Sequence, residues 1–190
     1  MLYKSILAGL MISIGAIVNL TVGPPLGAFI FSVGLMAILI FDLYLFTGKA
    51  GLLATKEISL INLGAVWVGN LFGCGLGVGI AASLPQYSSI LASATAIAEI
   101  RNSNTFIENF VLGIACGLLM YIAVNAYKKT GSILSFMLPV AVFILSGYNH
   151  CVADMFYLTL AGGGPITATT LGNIVGCNLI PYLSSLHHTS

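Results

Sequence analysis

Charge is what this 190-residue sequence has least of. It carries six Lys and Arg and five Asp and Glu, 6% of the chain, against roughly 25% in an ordinary soluble domain. With 58% hydrophobic residues and a mean hydropathy of +1.06, too few charges remain to clothe a water-facing surface, which argues against a soluble fold. The formal net charge is +1 and no basic cluster offers a phosphate-binding face, so no nucleic-acid partner is expected. Paired cysteines are missing too. Cys74, Cys116, Cys151 and Cys177 fall one per apolar segment, without the spacing of a zinc site or redox motif. They read as small packing residues, and neither a metal nor a cofactor is expected.

What the chain does have is long runs without charge. Ser5 to Phe41, Ile58 to Ala98, Asn109 to Tyr127, Thr130 to Ala153 and Met155 to Ser190 contain no Asp, Glu, Lys or Arg. A bilayer crossing needs about 20 predominantly apolar residues, so each run is long enough to cross. The apolar stretch after Lys4 outlasts the roughly 7–15 residues of a signal-peptide core and ends without an Ala-x-Ala site, so the first span is expected to remain.

Hydropathy predicts an all-α membrane protein, a single transmembrane channel domain over 1–190, with spans at 5–22, 26–46 with a continuation 48–57, 59–83, 106–126, 133–148 with a continuation 150–160, and 167–186. That makes six transmembrane helices. Two are broken, at Thr47-Gly48 and at Ser146-Gly147-Tyr148-Asn149, where small or capping residues interrupt the apolar pattern. Broken second and fifth spans occupy matching places in two halves of three, the hydropathy signature of an inverted repeat around a central site. The 84–105 connection, with Pro85, Gln86, Glu99, Arg101 and Asn102, reads as one sizeable polar loop facing outward. Lys4, Lys56, Lys128 and Lys129 fall on the opposite side, so the positive-inside rule places both termini in the cytoplasm. Gly69, Gly73, Gly75, Gly77 and Gly79 read as helix-packing positions, not as a phosphate loop.

Non-helical backbone at membrane depth is tolerated only where protein or a water-filled cavity receives its polar groups, so two broken spans imply a buried polar centre. Half-helices begin after each break, their amino-terminal ends favouring an anion, with Thr47 and Asn149 as expected caps. His150 is the one histidine within a span and the candidate proton handler, with a purely structural histidine as the competing reading. Asp154, four residues on, either orients the imidazole or pairs structurally along the helix. Lys49 either reaches the centre or snorkels. His187 and His188 read as a solvated tail.

These residues carry a resemblance. Phe31-Ser32-Val33-Gly34-Leu35 followed by Leu45-Phe46-Thr47-Gly48, then Thr105-Phe106-Ile107-Glu108 leading to Leu112-Gly113-Ile114, resemble the second and fourth spans of the formate/nitrite transporter family. Leu138-Pro139-Val140-Ala141, the stretch from Ser146 to Phe156, and Leu171-Gly172-Asn173-Ile174-Val175-Gly176 resemble its fifth and sixth. The resemblance implies an aquaporin-like fold and a homopentamer in the inner cell membrane passing small monovalent weak-acid anions: formate, or nitrite, acetate or hydrosulfide. By the same resemblance His150 is the central pore histidine, Thr47 its partner across the break, and Phe31, Leu35, Leu45, Phe46, Met120 and Phe143 build hydrophobic constrictions. Arg101 would collect anions.

The chain also departs from the family. Where its members typically have Lys before the fourth span, Asn within it, and Glu and Asn flanking the histidine, this sequence has Arg101, Gly117, Asn149 and Asp154. The acid has moved from before the histidine to after it. Tyr44 stands where an acid usually precedes Leu-Phe-Thr, with Asp42 two residues earlier. With little ahead of the first span, an amino-terminal gating helix is expected to be absent. An aquaporin-like conduit for small neutral solutes or undissociated acids is the competing transport reading, though paired Asn-Pro-Ala loops are missing. An intramembrane enzyme built on His150, Cys151 and Asp154 lacks a second catalytic group, and no enzyme is expected.

Overall fold

The computed structural model describes the backbone of residues 1–187 and side chains to 185, so the expectation of a solvated tail at His187 and His188 lies outside the described side chains. Among the described residues nine helices follow in order: α1 (Leu2–Val22), α2 (Leu26–Ile40), α3 (Phe46–Ala50), α4 (Leu60–Ala82), α5 (Tyr87–Ser103), α6 (Phe106–Thr130), α7 (Leu134–Leu145), α8 (Cys151–Leu160) and α9 (Thr167–His187). By length and composition α1, α4 and α6 can each cross a membrane alone, while α2, α7 and α8 are shorter apolar helices.

The helices pack in two sets. α1 lies against α4 and α2, and α6 lies against α9 and α7, with α2 on α7 and α8 on α4 joining the sets. Small residues permit the closest crossings. A Cβ at Gly73 would meet the Ile6 carbonyl of α1, and one at Gly176 the Ile114 carbonyl of α6. Between helices as apolar as lipid, backbone approach of this kind supplies the packing attraction that water cannot drive. Many large apolar side chains, among them Ile61, Phe72 and Leu76 on α4 and Leu171 and Leu183 on α9, remain exposed on the perimeter.

Two expectations about the backbone need correcting. The first interruption falls at Phe41–Leu45, not at Thr47-Gly48, which lie inside α3. Gly48 is therefore no breaker: the chain turns earlier, at Asp42, whose φ is +47°. The polar connection expected over 84–105 is largely helix. Ile90, Ala94, Ala98 and Arg101 recur at helical spacing and are buried along one face of α5, which packs on α8 and α1. Its low hydropathy concealed an amphipathic element. The second interruption does fall where expected, over Ser146–His150, with Gly147 at φ +72°.

Candidate functional site

The two interruptions meet at the centre of the protein. Thr47 Oγ1 lies 2.9 Å from His150 Nε2, a contact between residues 103 apart in sequence, and both are buried. The expected caps are displaced. The N-caps of α3 and α8 are Leu45 and His150, with Thr47 already inside α3 and Asn149 one residue ahead of the cap. His150 caps α8 itself: its Nδ1 accepts from the Ala153 N–H at 3.1 Å. A neutral imidazole that accepts at Nδ1 carries its hydrogen on Nε2, so His150 donates to the Thr47 hydroxyl. Gaining a second proton means giving up the Ala153 bond. Phe143 stacks on the imidazole, centroids 5.4 Å apart, and Phe31 meets Phe143 edge-on at 5.9 Å.

Leu45 has no side chain able to cap, and the first N–H of α3 is served from another helix. Asn70 of α4 accepts from Phe46 N at 2.8 Å and donates to the Tyr44 carbonyl at 2.9 Å and the Ser5 carbonyl at 2.7 Å. Asn173 of α9 does the same for the second interruption, accepting from Cys151 N and donating to the carbonyls of Asn149 and Gly113, all at 2.8 Å. One turn on, two cysteines reach across. The Cys74 thiol lies 3.3 Å from the Val152 carbonyl of α8, and the Cys177 thiol 3.3 Å from the Thr47 carbonyl of α3. Cys74 and Cys177 are thus more than packing residues. Neither clamp emerged from the reading of the residues, yet the signal was present: Gly-Asn-Leu-Phe-Gly-Cys at 69–74 recurs as Gly-Asn-Ile-Val-Gly-Cys at 172–177.

Around His150 the polar residues form two groups. Asp154 Oδ1 lies 3.4 Å from Arg101 Nε, an ion pair 1% and 9% exposed on its two sides, so the acid turns to the guanidinium and not to the imidazole. Arg101 is therefore a paired, buried cation. Asn149 donates to Asn109 Oδ1 at 2.8 Å and to Thr169 Oγ1 at 3.4 Å, while Asn109 holds the Arg101 carbonyl at 2.9 Å. Asn19 Oδ1, Asn149 Oδ1 and Asp154 Oδ2 are buried without a hydrogen-bond partner among the described residues.

Two cavities flank this centre. One, of about 140 Å³, is lined by Phe143, His150, Arg101, Asp154, Asn19 and Tyr157 among others. The second, of about 330 Å³, is lined by Leu35, Leu45, Asp42, Lys49, Lys128 and Tyr127 among others. Lys49 therefore faces this cavity and not the polar centre; with Lys4 it bonds to Asp42, at 3.7 and 2.9 Å, and both ammonium groups lie over the Tyr44 ring. Of the apolar residues singled out, Leu35 and Leu45 line one cavity and Phe143 the other. Phe31 and Met120 are buried, and Phe46 lines a lateral groove with Leu60, Leu63 and Trp67.

Comparison with known proteins places the chain. The family model Formate/nitrite transporter matches residues 1–185, and the chain belongs to that family. It is 29% identical to the formate channel FocA of Haemophilus influenzae, over 75% of this chain and 54% of that protein, and 28% identical to the formate channel FocB of Escherichia coli, over 71% and 53%. The chain spans about half the length of these curated relatives. A solved structure described as a pentameric formate channel with formate bound superposes with a TM-score of 0.82 at 26% identity, covering all of this chain and 98% of that one. An ion channel of the same family superposes at 0.81 with 24% identity, a likeness of fold, covering all of this chain and 90% of that one. These relatives are channels and transporters, not enzymes.

Proposed function

We propose that the chain is one protomer of a pentameric membrane channel for small monovalent weak-acid anions, formate first, with nitrite, acetate and hydrosulfide as further candidates. The reading rests on one observation, the buried Thr47–His150 contact at the meeting of two interrupted helices with a cavity on either side. α1, α2 with α3, α4, α6, α7 with α8, and α9 are its six crossings. They form an inverted repeat of three plus three of aquaporin-like type, in the cell membrane with both termini cytoplasmic. Supporting the repeat are the paired Asn70 and Asn173 clamps and the matching packing of α1 on α4 and α6 on α9.

Passage runs from one cavity to the other through the polar centre. Phe31, Leu35, Leu45, Phe46, Met120 and Phe143 form the apolar constrictions that strip water from the solute, and Thr47, Asn149 and Asp154 share the centre with His150. An anion stripped of water between apolar side chains costs several kcal/mol, so hydrogen bonding at Thr47 and His150, or proton transfer, must offset that cost. Arg101 and Lys49 supply positive charge near the two cavities. His150 controls passage through its two nitrogens.

The test is flux of formate into proteoliposomes for wild type, His150→Phe and His150→Asn. Phe keeps a flat ring that stacks on Phe143 without either nitrogen, and Asn keeps a polar group that cannot titrate. Both variants are expected to assemble and to lose the pH dependence of wild-type flux. Wild-type, pH-dependent flux in His150→Phe overturns the assignment.

A further inference from the structure

Five buried polar side chains meet beside His150, each from a different part of the chain: Arg101 of α5, Asn109 of α6, Asn149 of the second interruption, Asp154 of α8 and Thr169 of α9. Their contacts close a ring. Asn109 Nδ2 donates to the Arg101 carbonyl at 2.9 Å, and Asn149 Nδ2 donates to Asn109 Oδ1 at 2.8 Å and to Thr169 Oγ1 at 3.4 Å. The Thr169 hydroxyl faces the Asp154 carboxylate, and Asp154 Oδ1 lies 3.4 Å from Arg101 Nε.

The sense of these bonds follows from one group that cannot change role. A carbonyl only accepts, so Asn109 must turn Nδ2 to Arg101 and Oδ1 to Asn149. Asn149 must then present Nδ2, and Thr169, whose oxygen receives it, keeps its one hydrogen to donate. Other helical hydroxyls, at Ser13, Thr21 and Thr130, return that hydrogen to the carbonyl four residues earlier; Thr169 makes no such bond among the described residues. It faces Asp154, whose second oxygen, Oδ2, has no closed hydrogen bond. A single Nε contact at 3.4 Å is a loose hold on a carboxylate 1% exposed, and a buried ion pair is favourable only where further hydrogen bonds satisfy its remaining lone pairs. Asp154 lines the same cavity as His150, so any part of its charge left uncompensated opposes an anion there.

We propose, on the channel reading above, that Thr169 and Asn109 are positioning residues for passage: they close the ring that aims the Thr169 hydrogen at Asp154 and so hold the carboxylate's charge on the Arg101 side, away from the solute beside His150. Asn109 acts at one remove, by fixing which way the Asn149 amide turns. Thr169 acts directly on Asp154, and neither needs to touch the solute.

The test measures formate flux into proteoliposomes and the size-exclusion profile for the full chain and its variants. Thr169→Val keeps the shape and removes the hydrogen; it should assemble and lower formate flux about tenfold, and Thr169→Ser should restore it. Asn109→Leu releases the Asn149 amide and should lower flux in the same direction. The deciding comparison is with Asp154→Asn, which leaves no carboxylate to hold. In that background Thr169→Val should change flux by no more than about twofold, because a residue that acts through a charge has nothing to act on once the charge is gone. A further loss of about tenfold in the double variant means that Thr169 only packs, and overturns the inference. Wild-type flux in an assembled Thr169→Val overturns it too, as does a Thr169→Ser that fails to restore flux, or loss of assembly in Thr169→Val and Thr169→Ala alike. Where Asp154→Asn does not assemble, Asp154→Ser takes its place in the comparison. Absence of formate flux in wild type overturns the channel reading and this inference together, whereas the other results leave the channel reading standing.

Discussion

The two interrupted helices are held by the same device and do different work. At each, an asparagine one helix away accepts from the first N–H of the new helix and donates to the carbonyl two residues before it, and a cysteine four residues on lies against a carbonyl of the other interruption. The polar groups held in place are unlike. The first interruption supplies only the Thr47 hydroxyl to the centre, through a five-residue α3, while the second supplies His150, Asn149 and Asp154 ahead of and within the ten-residue α8. The scaffold is duplicated and the polar centre is not, which separates residues that set where the backbone goes from the residues that the proposed passage depends on.

Four sets of substitutions test that separation. The largest effect is expected at the glycines of the twin segments. A leucine at Gly73 or Gly176 drives into the Ile6 or Ile114 carbonyl, backbone that cannot yield, and should cost more than about 3 kcal/mol at either position. Size-exclusion of the detergent-solubilised protein should then show aggregate in both cases, and a wild-type profile for either would break the equivalence. Next come Asn70→Ala and Asn173→Ala, each stranding the first N–H of the new helix and the carbonyl ahead of it, Tyr44 or Asn149, at roughly 1–3 kcal/mol per buried group. Their thermal destabilisation in detergent should be similar, while Asn173→Ala should lose more flux because it frees the backbone beside His150.

A smaller effect is expected at Thr47. Thr47→Val keeps the shape and leaves the His150 Nε2 hydrogen without its acceptor, which should lower formate flux roughly tenfold for about 1.4 kcal/mol. Thr47→Ser should restore it, and Val152→Thr, at the matching position of the second interruption, should change flux little; equal effects at both positions would argue that the centre is symmetric in function too. The smallest is expected from Cys74→Ala and Cys177→Ala. A thiol is a weak donor, so each should lower the melting stability by less than about 1 kcal/mol, with the double variant close to the sum.

Much of the fold was legible in the sequence because the bilayer imposes long apolar stretches, and the hydropathy spans 5–22, 59–83 and 106–126 lie within a few residues of α1, α4 and α6. The second interruption was legible at Gly147 because a backbone with φ +72° favours a residue without a Cβ. The first was misplaced for the opposite reason. Asn70, 24 residues away, fixes where α3 begins, and Thr47-Gly48 looked like a stop only because local propensity was all there was to read. The contact between His150 and Thr47 was expected only through family resemblance, since nothing in the spacing of residues 103 apart brings them together. The twin Gly-Asn-x-x-Gly-Cys segments escaped because four matching residues are diluted when whole halves are compared. Residues 87–103 escaped because an amphipathic helix half-covered by protein has neither the hydropathy of a span nor the Gly and Pro of a loop.

That helix ends with no slack. Arg101 is its last buried residue, Asn104 closes it, and Thr105 at once opens α6 with a reciprocal cap: its hydroxyl oxygen accepts from Glu108 N, and the Glu108 carboxylate accepts from Thr105 N at 2.7 Å. Asn109 then reaches back to the Arg101 carbonyl. A single residue inserted between Ala98 and Arg101 would turn the guanidinium by about 100° around the helix axis relative to the buried face of Ile90, Ala94 and Ala98, away from Asp154. Segments joining membrane spans ordinarily tolerate changes of length, but this one sets an angle, so insertions and deletions should be harder to accommodate here than substitutions anywhere on the same helix.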